Sequence, residues 1–226
     1  MPSLPDPSFL WCATTGDQFA KIASMRWRGW PADEDLRTTD SLDEATAAAH
    51  ELARTQGVGH VIKLVVATEF AQRHQGGNVP PESRDRLVAS LQHAISEHAQ
   101  HRGGLPEVEL AAAETRLRRS IPTTWRSYLQ GAHWFHRGWM RSGAYVWLYP
   151  ARQSAEFYSD DDCPGMFVIG GDGASERLVV DLRQPSPQVR LANVVCADWG
   201  ETFVQAASLE SFLAEVAAGT FEFSFS

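Results

Sequence analysis

His133 and His136 stand three positions apart, a spacing that some metal sites use. A zinc protease needs His-Glu-x-x-His, which puts two histidines four apart on one helical face with the glutamate as general base, and no third ligand stands nearby. The pair therefore reads as turn histidines among aromatic residues. Gly170-Gly171-Asp172-Gly173 has the glycine density of a phosphate cradle. Such a cradle works through the free N–H groups at the start of a following helix, whereas a strand pattern follows here, so a hairpin turn is expected. Asp160-Asp161-Asp162 lacks the alternating ligand positions and distal glutamate of a calcium loop. It reads as a solvated acidic loop or as a docking surface for a basic partner. Cys12, Cys163 and Cys196 are scattered, odd in number and without catalytic context, which is the pattern of buried free thiols. There is no Gly-x-Ser-x-Gly elbow, and no constellation assembles nucleophile, base and electrophile. The expectation is a chain without catalytic residues, cofactor or metal.

The elements that must position these residues divide at Arg102-Gly103-Gly104. A chain of 226 residues fits two domains of about 100 residues each, able to bury separate cores. The boundaries expected are 1–103 and 104–226. The net charge is −8, and carboxylates exceed cations in both halves, 13 to 10 through Gly103 and 15 to 10 beyond. Phosphate contacts need clustered Lys or Arg, so nucleic acid and anionic membrane are excluded as expected partners and a basic protein is left open. The longest apolar run, Val61 to Ala67, is too short to cross a bilayer. The opening residues do not follow the charged-then-apolar plan of a secretory signal, and a cytoplasmic address is expected.

In the first half, Ser8 to Ala13 suits a strand, and Gly16 to Met25 carries Phe19, Ile22 and Ala23 at helical spacing. Ser41-Leu42-Asp43-Glu44 is a capping box opening a helix with Leu42, Ala45, Ala49 and Leu52 as its stripe, ended by Gly57. His60 to Ala67 reads as a central strand covered on both faces. Pro80-Pro81 opens a long helix carrying Leu87, Val88, Leu91, Ala94, Ile95 and His98. In the second half, Pro106 opens a helix buried through Leu110, Ala113 and Leu117, with Glu114 one turn before Arg118 as an exposed pair. Pro122 stops it and opens another, with Trp125, Tyr128 and Leu129 inside and Gly131 at its end. Tyr145, Trp147 and Tyr149 then alternate with Val146 and Leu148 along a strand. The three aromatics either pack beneath the helices or form an exposed patch. Met166–Ile169, Leu178–Leu182 and Val189–Val195 read as further strands, Ser208 caps a last helix ended by Gly219, and Phe221, Phe223 and Phe225 alternate as an edge strand. Short turns between the strands require antiparallel pairing. The fold class expected is α+β, a mainly antiparallel sheet flanked by helices, preceded by a small α/β domain.

Ala113-Glu114, Leu117, Ile121-Pro122, Trp125 and Leu129 together resemble the opening signature of the SUKH superfamily. The resemblance continues through Pro164-Gly165-Met166-Phe167, Gly170-Gly171-Asp172-Gly173 and Ser208-Leu209-Glu210-Ser211-Phe212-Leu213, and covers Gly104 to Gly219. The family's usual Asn-Gly-Gly-like turn is replaced by Gly131-Ala132-His133. That superfamily includes fungal cell-wall assembly regulators, the bacterial Syd protein and many bacterial immunity proteins, so the resemblance implies an α+β protein-binding module. The order of elements in the first half faintly resembles the start of ADP-ribosyltransferase-like domains, but Cys12 stands where that family has His or Arg, and no catalytic Glu is found. The function expected is non-enzymatic: an immunity protein that neutralises a basic toxin domain. Its surface is expected from Glu156, Asp160, Asp161 and Asp162 with Trp134, Trp139 and Trp147 as aromatic anchors. A regulatory scaffold bridging other proteins is the alternative, and an enzyme transferring ADP-ribose from NAD is a weaker one.

Overall fold

Alternating apolar and small residues carry the first strand, β1 (Ser8–Thr14), whose Leu10 and Cys12 are buried. The computed structural model describes residues 8–24, 36–66, 78–79, 96–159, 163–196 and 198–225. The part of the expected helix from Pro80 to Ile95, the triplet Asp160-Asp161-Asp162, Met25 and Ala67 lie outside the described residues. Two compact units, Met1–Arg102 and Gly103–Ser226, make up the chain.

In the first unit β1 leads through Thr15 into α1 (Gly16–Ser24), then β2 (Leu36–Thr39) and α2 (Leu42–Gln56). β3 (Val58–Val66) pairs antiparallel with β1 on one side and with β5 (Ser96–Gly103) on the other, and the two-residue β4 (Asn78–Val79) pairs with β2. The strand order is β5-β3-β1-β2-β4. Gly59, His60, Val61 and Ile62 are buried in succession, which both faces of a strand allow only when each is covered, so the apolar run is a central strand as read. Helix α2 lies on the sheet through Ala45, Ala49 and Ala53 rather than through its leucines, and Leu42 and Leu52 are only half-buried. The approach is so close that a Cβ on Gly59 would sit 2.0 Å from the Ala49 carbonyl oxygen.

Two readings of this unit need correction. Ser41 Oγ accepts from the Glu44 N–H at 3.2 Å, but the reciprocal half of the capping box is absent. The Ser41 N–H bonds Thr39 Oγ1 at 3.1 Å, and that hydroxyl donates to the Glu44 carboxylate at 2.7 Å, so Thr39 takes the place the carboxylate would fill. His98 lies on β5, not on a helix, and Arg102-Gly103 ends that strand. The described strand pairs of this unit are all antiparallel, without a parallel βαβ pair among the described residues.

The second unit opens with α3 (Glu107–Leu117), with Pro106 as its N-cap and Leu110, Ala113 and Leu117 buried. Arg118 closes α3 in the left-handed conformation at φ 54°, out of the regular helical position in which a pair with Glu114 is expected. Glu114 reaches across the turn instead, accepting from the Ile121 N–H at 3.1 Å and from Arg126 at 2.8 Å. Arg126 also pairs with Glu107. Helix α4 (Thr123–Gln130) buries Trp125 and Leu129, and its Tyr128 hydroxyl accepts the Phe135 N–H at 3.0 Å.

Then follow β6 (His133–Trp139), β7 (Tyr145–Leu148), α5 (Ala151–Glu156), β8 (Met166–Gly171), β9 (Glu176–Asp181), β10 (Val189–Asn193), a single 3-10 turn at Trp199–Glu201, β11 (Phe203–Ala206) and α6 (Leu209–Ala218). Strands β6 to β11 pair antiparallel in sequence order. Ser208 and Ser211 form a reciprocal capping box at the start of α6, and Gly219 ends it at φ 69°. The terminal phenylalanines do not form a strand. Phe221 is buried edge-on against Phe212 at 5.0 Å, and Ser224 is held by the Gln205 side chain, whose amide gives and takes the bonds that a ladder would supply. The fold is α+β, a mainly antiparallel sheet flanked by helices. No described helix is long and apolar enough to cross a membrane.

Candidate protein-binding face

Strand parity divides the aromatic run into two opposite roles. Val146 and Leu148 on β7 are fully buried, and Trp134, His136 and Gly138 share their face on the neighbouring β6. Trp134 is 1% exposed and donates its indole N–H to the Gly103 carbonyl at 3.0 Å. It is a core residue, and its assignment as a binding anchor is corrected: the spacing of tryptophans alone does not reveal that Trp134 and Trp139, five apart, point to opposite sides of the sheet. His136 is buried, edge-on to Trp134 on its own face at 5.3 Å and to the Trp147 ring 6.1 Å away, with Nδ1 at 2.9 Å from the Leu148 carbonyl, which requires that nitrogen to carry the proton. Among the described residues no three His, Cys, Asp or Glu side chains converge as metal ligands.

The other face carries a cross-strand row read directly from the register: Arg137 opposite Trp147, Trp147 opposite Gly171, Gly171 opposite Arg177, and Arg177 opposite Ala192. Trp147 and Arg177 therefore stand on either side of Gly171, a residue without a side chain. The Arg137 guanidinium lies over the Trp147 ring at 5.9 Å, and the Arg177 guanidinium lies over Phe157 at 4.9 Å. A second row places Trp139 opposite Tyr145, edge to face at 5.1 Å. Tyr149 joins the two groups, 5.5 Å from Trp147 and 5.4 Å from Phe157. Burial raises the Tyr149 phenol pKa, opposed by the nearby Arg177 charge.

Exposure is graded along this face. Trp139 is 48% exposed and Phe157 40%, while Tyr145, Trp147 and Tyr149 are half-buried. Towards β9 and β10 the same face is covered: Val168, Val179 and Ala192 form a small cluster beneath Tyr149, Met166, Cys196 and Trp199. Thus of the two alternatives for the aromatic strand, neither holds for the whole of it. The aromatics do not lie on the buried face with Val146 and Leu148; they form the opposite face, open around Trp139 and closed towards Trp199.

Of the residues expected to bind a partner, Trp139 and Trp147 stand together on this face and Trp134 does not. Glu156 is the exposed last residue of α5, paired with Arg152 at 3.1 Å, immediately before Phe157. Arg137 and Arg177 were not legible as site residues. Arg137 carried one usable signal, its position two before Trp139 on an alternating strand; Arg177 reaches the row only through pairings of β7, β8 and β9. The chain matches neither a protein-family model nor a curated protein.

Proposed function

We propose that the second unit is a non-enzymatic protein-binding module and that the chain is a cytoplasmic immunity protein neutralising a basic toxin domain. The observation that carries this reading is the partly open face on which Trp139, Tyr145, Trp147 and Tyr149 stand with Arg137 and Arg177. Trp, Tyr and Arg are the residues that dominate binding energy in protein interfaces, because each combines a large apolar area with a directional donor. Stacking on Phe157 leaves the N–H edges of the Arg177 guanidinium able to meet carbonyls or carboxylates of a partner.

The net charge of −8 acts at a different range. It steers a basic partner towards the molecule and raises the association rate, whereas the aromatic face sets the lifetime of the complex. Glu156, Asp160, Asp161 and Asp162 are the acidic residues assigned to steering, on the strength of the sequence. The resemblance to the SUKH superfamily supports the immunity role over that of a regulatory scaffold.

The test is co-purification from the native host followed by mass spectrometry, using the parent chain and Trp139→Ala in parallel. A toxin encoded beside this chain's gene should be recovered with the parent and lost with the variant. Equal recovery of the same partners by both would refute the surface.

A further inference from the structure

Cys163 and Cys196 line one cavity of about 290 Å³ on the covered part of the sheet face, together with Met166, Val168 and Ala192. Their meeting is built by the backbone. After β10 the Cys196 N–H bonds the Asn193 carbonyl at 2.9 Å, turning the chain back over the face, where Cys196 packs against Val168, Val179 and Ala192. Three residues later the Trp199 indole N–H donates to the carbonyl of Pro164, the neighbour of Cys163, at 3.2 Å. Cys163 is held from its other side by the Met166 N–H, which bonds its carbonyl at 3.0 Å. Cys163 is buried and Cys196 half-exposed, so the pair has an inner and an outer thiol.

We propose that Cys163 and Cys196 are an oxidisable pair that closes to a disulfide on exposure to hydrogen peroxide. The outer thiol, as thiolate, attacks one peroxide oxygen; the O–O bond breaks, water leaves after protonation, and Cys196 becomes a sulfenic acid. The Cys163 thiolate then attacks that sulfur; the S–S bond forms, the S–O bond breaks, and hydroxide leaves to be protonated to water. Two thiols and one peroxide give one disulfide and two waters. Burial raises the Cys163 thiol pKa, Cys196, Asp198 and Asp181 add to this, and Arg183 opposes it, so the closing step speeds up as pH rises. The bond would lock the chain segment that covers the sheet beside the open aromatic face. This modification goes beyond the binding role and stands or falls without it.

Cys12 supplies an internal control, because burial at 1% exposure pushes its thiol to about 12 and keeps it from reacting. The experiment treats the full chain with peroxide, denatures it, alkylates the remaining thiols and maps the peptides by mass. The result expected is loss of two hydrogens, a linked Cys163–Cys196 peptide pair, alkylated Cys12 and reversal by dithiothreitol. In Cys163→Ser the sulfenic acid should persist on Cys196 and be captured by dimedone, a readout that does not depend on stability. Cys163 and Cys196 both alkylated after peroxide, a link that includes Cys12, or stepwise oxidation of each thiol to sulfonic acid without a linked peptide would overturn the proposal.

Discussion

Trp134 and Trp139 belong to one strand, yet one is sealed and the other half-exposed, and this difference sets opposite expectations for the same substitution. Trp134→Ala removes a fully packed indole and its bond to Gly103, so urea unfolding should show a loss of about 3–5 kcal/mol. Trp139→Ala removes a ring whose main neighbour is Tyr145, and stability should change by less than about 1 kcal/mol while partner binding weakens at least tenfold. His98 gives a second contrast. It packs against Trp11 at 4.9 Å, and burial first, then Lys63, lowers its pKa. A folded value below the unfolded one means that the unfolded chain binds the proton more readily, so stability present above the unfolded value near 6.5 is lost as pH falls through the lowered value. His98→Gln should therefore lose less stability than the parent between pH 7 and pH 5, measured by denaturant midpoints. The residue scale is where the sequence was least legible. Which tryptophan is inside depends on strand parity, and parity was clear for Tyr145 to Tyr149 but hidden in the dense run from His133 to Trp139, where apolar residues occupy both faces.

At the scale of elements the sequence spoke more clearly, because helix boundaries are set by local chemistry. Pro106, Pro122 and Gly219 punctuate α3, α4 and α6 as their conformational limits require, and Leu110, Ala113, Leu117, Trp125 and Leu129 form the buried stripes expected of them. What failed was chemistry that crosses between elements. Glu114 was read as a partner for Arg118 on its own helix but spans the α3–α4 turn. Glu114→Ala should cost about 1–3 kcal/mol, since the Ile121 N–H would lose its acceptor and Arg126 one of its two carboxylates. The left-handed Arg118 that ends α3 makes the opposite prediction. Arg118→Gly should raise stability by about 0.5–1 kcal/mol, because glycine adopts that conformation without the Cβ clash. A loss of stability on calorimetric melting would show that the arginine side chain has a compensating role. The terminal phenylalanines illustrate the same limit: their alternation is real, but a single glutamine side chain, Gln205, replaces the ladder that alternation implies.

At the scale of the molecule, the proposed binding role assigns association rate to the acid excess and lifetime of the complex to the arginine-bearing aromatic face. Reversing Asp160, Asp161 and Asp162 to lysine should slow association with a basic toxin domain severalfold at low salt and by much less at high salt, with dissociation unchanged. Composition made the charge legible, while the face needed the register of β6 through β10 and could not be read from one strand. The most direct test of the central claim is surface-bound kinetics of the proposed basic toxin partner, once recovered by co-purification, measured against the parent, Trp139→Ala and the aspartate reversal. The account predicts that Trp139→Ala accelerates dissociation at least tenfold with the melting temperature preserved, and that the aspartate reversal changes association alone. Dissociation from Trp139→Ala as slow as from the parent would contradict it.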